Sequence, residues 1–158
     1  MPLLLLALSL ISIPALAEPE VSETRHQDWN RVCVQEDDVG RCEAVQILSV
    51  TQNEQTQPIL QATVTRSEGQ RFIEFALPLG MDLRAGMVIQ IDQGDEIRFG
   101  YTTCVPKGCA GVLPLDDARY AELRAGSSAR LGFLPFGGGQ VQILELSLQV
   151  FTAASREI

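Results

Sequence analysis

The chain has 158 residues, of which 46% are hydrophobic and 20% charged, with a formal net charge of −8. That length suits one domain, and so high an apolar share beside so few charges excludes a disordered chain. The acid excess, 20 Asp and Glu against 12 Lys and Arg, argues against a nucleic-acid binder, which needs a basic face to displace counterions, and against docking on anionic lipid.

Residues 1–17 read as a secretory signal peptide. Thirteen of the seventeen are apolar and none carries a charged side chain. The apolar run at 3–13 is too short for a bilayer-spanning helix, which takes about 20 residues. Pro14 breaks it, and Ala15-Leu16-Ala17 places small residues at the −3 and −1 positions of a signal-peptidase site. Cleavage is therefore expected after Ala17. No later segment approaches about 18 continuous apolar residues, so no transmembrane helix is expected. Residues 18–28 are polar and read as a segment ahead of the domain. Residues 29–153 read as one β-rich domain, and 154–158 as a C-terminal tail.

Alternation with a period of two dominates after residue 28. Strands are expected at 29–34 and 41–51. The polar, Pro-terminated stretch 52–58 reads as a loop. A strand at 59–66 sets Leu60, Ala62 and Val64 on one face, turns at 67–70 and returns at 71–77. Residues 77–86 contain Pro78, Gly80 and Gly86 and cannot form a long regular element. Strands follow at 87–92, 96–105 and 109–115. A helix is expected around residues 116–125. Asp116 can cap it, Asp117 suits its positive end, and Gly126 stands where a left-handed residue would close it. The last strands are 128–135 and 140–152, joined by Phe136-Gly137-Gly138-Gly139. In the second of them Leu144, Leu146, Leu148 and Val150 would share the buried face. About nine short strands at such spacing predict an all-β fold, an antiparallel sandwich or a barrel-like sheet.

The four cysteines form two close pairs, Cys33 with Cys42 and Cys104 with Cys109. In an exported chain such pairs read as disulfides; of the three possible connectivities, proximity favours the local one. Val105-Pro106-Lys107-Gly108 has Pro at i+1 and Gly at i+3 of a turn, so Cys104 and Cys109 would flank a four-residue hairpin loop. A Cys₄ zinc site is disfavoured, because the first pair is C-x₈-C rather than a C-x₂₋₄-C knuckle. A redox pair would normally be C-x-x-C beside a βαβ unit, and neither feature is present.

The catalytic inventory is thin. The single histidine, His26, lies in the polar stretch before the first expected strand and reads as solvated. Carboxylates are plentiful, but each has a structural explanation. Glu36, Asp37 and Asp38 sit in a loop, Asp92, Asp95 and Glu96 border a turn, and Asp116 and Asp117 serve the helix. No run has the alternating acids, sixth-position Gly and twelfth-position Glu of a calcium loop. The glycines at 137–139 join two strands and precede no helix, so they form no phosphate cradle. No cofactor and no metal is expected.

Several segments together resemble the invasion-associated locus B family. They begin with Trp29-x-x-x-Cys33, Cys42 and Gln46. Leu77-Pro78-Leu79-Gly80, Leu83, Gly86 and Ile91-Asp92 follow. Next come Phe99, Cys104, Pro106 and Gly108-Cys109-Ala110, then Leu123 and Gly126. Ser147-Leu148-Gln149-Val150-Phe151 is similar to the family's closing motif, with Val150 where that motif has Gly. The resemblance covers about residues 28–153. It implies an exported, mainly β protein of Gram-negative bacteria, in the periplasm or at the envelope, in a family whose namesake is linked to host-cell entry. It carries over no catalytic residue. The expected function is a non-enzymatic module whose partner is an envelope or surface protein component. A carboxylate-dependent hydrolase acting on carbohydrate and a small-ligand carrier are the alternatives.

Overall fold

The computed structural model describes residues 19–36 and 39–158, without the side chains of Glu36 and Val39. The signal-peptide reading of 1–17 and the loop acids Asp37 and Asp38 lie outside the described residues.

Among the described residues eleven strands form two antiparallel sheets. The larger contains β1 (Glu20–His26), β2 (Trp29–Glu36), β3 (Val39–Gln52), β4 (Gln55–Ser67), β5 (Gln70–Leu77), β8 (Thr103–Val105) and β9 (Gly108–Leu115), in spatial order β1-β2-β3-β4-β5-β9-β8. The smaller contains β6 (Met87–Ile91), β7 (Ile97–Phe99), β10 (Ser128–Phe133) and β11 (Gln142–Ser147), in order β11-β10-β6-β7. The helices are α1 (Asp117–Ala125) and α2 (Phe151–Ala154). The all-β expectation therefore holds, as two sheets rather than a closed barrel.

The core lies between the sheets. The larger contributes Leu60, Ala62 and Val64 from β4, with Ile73, Phe75 and Leu77 from β5. The smaller answers with Met87, Ile89, Ala129, Leu131, Phe133 and Leu146. Each set recurs at every second position, which is how a strand presents one apolar face to a core.

The structure corrects the sequence reading at several points. The polar segment 20–26 is a strand, β1, paired along its length with β2. Its side chains are mostly exposed, so its stability comes from the ladder rather than from an apolar face. Residues 52–58 are not a loop: β3 and β4 run through them and meet at a two-residue turn. Asn53 and Glu54 both take positive φ there, 49° and 63°, the twist that suits a tight hairpin. The strand expected at 96–105 breaks in the middle. β7 belongs to the small sheet and β8 to the large one, so residues 100–102 carry the chain between sheets.

The cysteine hairpin is also tighter than expected. Cys104 and Cys109 are directly opposed on β8 and β9, and only Pro106 and Lys107 form the connection. Gly126 has φ −73° and is not left-handed. Its lack of a side chain matters for packing instead: a Cβ there would lie 2.9 Å from both Ile91 Cγ2 and Leu148 Cδ1. The final strand stops at Ser147. Val150 turns left-handed and opens α2. Residues 154–158 are not a loose tail, since Ala154, Ser155 and Ile158 are buried.

Candidate functional site

The motif residues gather at three structural joints. At the first, Trp29 and Gln46 reach from β2 and β3 to the end of β11. Trp29 Nε1 donates to Ser147 O at 2.7 Å. Gln46 Nε2 donates to the same oxygen at 3.0 Å, and Ser147 N donates to Gln46 Oε1 at 3.1 Å. Both side chains are buried. They satisfy the edge of β11 in place of another strand and tie the two sheets together. Phe151 completes the joint, its ring 4.9 Å from that of Trp29.

At the second joint, the irregular segment 77–86 docks on the end of β10. Phe136 N donates to Gly80 O at 2.8 Å, and Asp82 N donates to Leu134 O at 2.8 Å. Gly80 has φ +98° and Gly86 φ +66°, and a Cβ on Gly86 would lie 2.7 Å from Phe99 O. Asp82 accepts from Arg84 through both backbone and side chain. Those bonds hold the Asp82 carboxyl below its ordinary value, and burial pushes the Tyr101 hydroxyl above its own.

The third joint is the Cys104–Cys109 hairpin. This disulfide and Cys33–Cys42 both join directly opposed positions on neighbouring strands. A Cβ on Gly108 would run into Leu77 O, so the hairpin lies flat against the strand end that leads into Pro78.

The carboxylates are divided among structural duties. Asp92 accepts from Ser127 N at 3.0 Å and Ser128 N at 2.9 Å. Asp116 caps α1 by accepting from Arg119 N at 2.8 Å. Asp117 pairs with Arg71, and Glu96 with Arg98. Asp92, Asp95, Asp116 and Glu122 line an open cleft of about 650 Å³ with Arg119 among them. Two of those four acids are thus already committed to backbone donors. Among the described residues no three His, Cys, Asp or Glu side chains gather as a metal set would. His26 is not the solvated side chain expected: it is half-buried at the end of β1, and its Nε2 is buried with no hydrogen-bond partner.

A second cleft of about 650 Å³ lies beside the cysteine hairpin. Its floor is a row across four strands, Gln61, Ala76, Ala110 and Thr103, directly opposed in turn. The two alanines keep the middle of that row low. Ile59, Pro78 and Val105 wall it, and Lys107, the only lysine in the chain, stands at its rim. Sequence reading missed this groove. Its signal was two small residues at outward positions of neighbouring strands, visible only once the register is known.

A family model described as Invasion associated locus B (IalB) protein matches residues 29–158. The chain belongs to the IalB family. Two Brucella abortus proteins, each named an Invasion protein B homolog, from strain 2308 and from biovar 1 strain 9-941, are similar to it. Each is 28% identical over 152 residues, covering 94% of this chain and 87% of its own length. The crystal structure of invasion associated protein b from Bartonella henselae has the same fold. It matches with a TM-score of 0.73 at 23% identity, covering 84% of this chain and 91% of that one.

The residues on which the resemblance rests have structural roles. Trp29 and Gln46 clasp β11, Gly80 and Gly86 turn the 77–86 segment, and Gly126 lets the end of α1 lie against Ile91 and Leu148. Pro106 and Gly108 shape the tight cysteine hairpin. Val150 sits at φ +59° and ψ 5°. That is the left-handed conformation glycine adopts without steric cost, and here a valine holds it.

Proposed function

We propose that this IalB-family chain is exported to the periplasm or envelope, with its leader removed after Ala17, and acts there as a non-enzymatic binding module. Its partner is an envelope or surface protein component, in a role linked to host-cell invasion. The disulfides support export, because such bonds persist in oxidising compartments. The names of the Brucella and Bartonella relatives support the link to invasion.

The observation that carries the binding reading is the groove beside the Cys104–Cys109 hairpin. It is open, mostly apolar, and bounded by β8, a three-residue edge strand whose residues are all exposed. An exposed strand edge next to an apolar trough accepts an extended segment of a partner by main-chain pairing. Lys107 at the rim favours an acidic side chain in that segment.

Intact mass of the exported protein should show loss of residues 1–17 and no alkylatable thiol. For the binding role, protein captured from envelope fractions is compared between wild type and a Val105→Glu, Ala76→Glu variant. A partner retained by the first and lost by the second supports the reading. An identical profile from both, with normal host attachment in a deletion strain, overturns it.

The hydrolase reading has less support, because Asp92 and Asp116 are already bonded to backbone. The carrier reading would need an interior chamber, whereas Phe75, Ile89, Leu131 and Leu60 fill the space between the sheets.

A further inference from the structure

Three arginines converge on one small hollow of this acidic chain. Arg71 comes from β5, Arg124 from the last turn of α1 and Arg156 from just beyond α2. With Tyr120, Thr152 and Ser155 they line a nook of about 250 Å³. The Tyr120 ring organises it. The Arg71 guanidinium carbon lies 4.3 Å from the ring centroid and that of Arg124 lies 5.7 Å away. Both distances are within cation–π range, which orders the two guanidiniums before any ligand arrives.

The backbone of the nook is fixed as well. Tyr120 Oη donates to Ser155 O at 2.9 Å, and Thr152 Oγ1 donates to Arg124 O at 2.9 Å. Arg71 is largely spoken for: Nε donates to Ile158 O at 2.9 Å, and Nη1 pairs with Asp117 at 3.4 Å. Glu157, at the rim, is turned to Arg31 at 3.9 Å. Among the described residues neither Arg124 nor Arg156 has a carboxylate within salt-bridge distance.

Ser155 supplies the second, independent sign. It is only 2% exposed, yet its Oγ has no hydrogen-bond partner. A buried hydroxyl without a partner is costly unless something outside the chain completes it. Two guanidiniums without carboxylate partners thus line the same hollow as a residue whose buried hydroxyl is orphaned.

The geometry points to a binding site for a phosphate-class oxyanion, held by Arg124, Arg156 and Ser155 Oγ, with Arg71 as a fixed positive neighbour. Guanidiniums match phosphate oxygens two at a time, and the hydroxyl takes an oxygen they leave free. The oxygens of a phosphate can accept from both guanidiniums and from the hydroxyl at once. The phosphate belongs either to a free phosphorylated small molecule or to a lipid headgroup. The site is separate from the groove at the cysteine hairpin, so it does not rest on the binding role proposed there.

The test is a ¹H–¹⁵N shift titration of the full oxidised chain with inorganic phosphate, against sodium chloride of equal ionic strength. Sedimentation with phosphatidic acid vesicles, against phosphatidylcholine vesicles, forms the second arm. Saturable shifts confined to residues 120–127 and 150–158 are expected from phosphate but not from chloride. Arg124→Ala and Arg156→Ala should each weaken binding by about fivefold or more, and Ser155→Ala by about threefold. Both arginines are exposed, so their variants keep the fold, which circular dichroism checks. A role of Ser155 in packing alone would change the unfolding midpoint and leave the phosphate affinity unmoved. Phosphate binding without vesicle binding assigns a small-molecule source. Arginine-dependent binding to phosphatidic acid vesicles assigns a lipid one. No saturable shift and no vesicle binding overturns the site, as does binding that survives the Arg124→Ala, Arg156→Ala double variant.

Discussion

Val150 and Gln46 show what single side chains do in this fold. At φ +59° a β-branched residue carries a steric cost that glycine does not. Val150→Gly should therefore raise stability by about 1 kcal/mol, allowing for the lost side chain. The urea midpoint measures it, and an unchanged or lower midpoint would mean that Val150's packing outweighs the strain. Gln46 is the opposite case, a residue whose chemistry is fully used. It is 1% exposed and both amide atoms bond to Ser147 backbone. Gln46→Ala leaves the Ser147 N–H without its acceptor and opens a void beside Trp29. The expected loss is about 2–4 kcal/mol. A loss below about 1 kcal/mol would show that water replaces the amide at no penalty. From the sequence, a lone Gln between Ala44 and Leu48 marks only a polar residue at an inward position. What it bonds, Ser147, lies 101 residues away in the other sheet, and local alternation carries no information at that range.

The cysteine hairpin is where an element depends on a covalent link. β8 has three exposed residues and one neighbouring strand, β9. Little apolar burial holds it, so Cys104–Cys109 does. Cys104→Ser should cost about 2–3 kcal/mol in oxidant on the chain-entropy account and about nothing in excess reductant. Hydrogen exchange should localise the change, with the β8 amides losing protection before those of β4 and β5. Equal loss across the large sheet would mean that β8 is held by other contacts. The same weakness explains why this part of the chain was hard to read. Residues 96–105 alternate well enough for one strand, but the chain changes sheets at 100–102, and period-two alternation does not say which sheet a strand joins. At 52–58 the polar composition masked strand ends whose ladder needs no apolar face. By contrast β4, β5 and the capped start of α1 were legible, because burial on one face and a side-chain cap both leave a local signature. Gly126 was expected to close α1 in a left-handed turn, and it is extended instead; close packing on Ile91 and Leu148 is what excludes a side chain there.

Across the whole molecule the two sheets are welded at one corner as well as through their faces. Trp29, Phe151 and Tyr120 form a chain of rings from β2 through α2 to α1, with centroid spacings of 4.9 and 6.2 Å. Phe151 is fully buried at its centre. The sequence marked Trp29, Val150 and Phe151 by resemblance but not their meeting, because residues 140–152 alternate as one strand and hide the turn at Val150. The consequence of this corner is cooperativity. If the sheets share one core and one corner, they should unfold together, as single domains of this size generally do. Trp29 is the only tryptophan, so its fluorescence reports the corner while far-ultraviolet circular dichroism reports both sheets. The two urea transitions should coincide in the wild type. Phe151→Ala should lower the midpoint of both together by about 3–5 kcal/mol of stability, because the cavity lies where every element of the corner meets. A fluorescence transition that runs ahead of the dichroism would show that the corner opens alone, and that the sheets are held by their faces only.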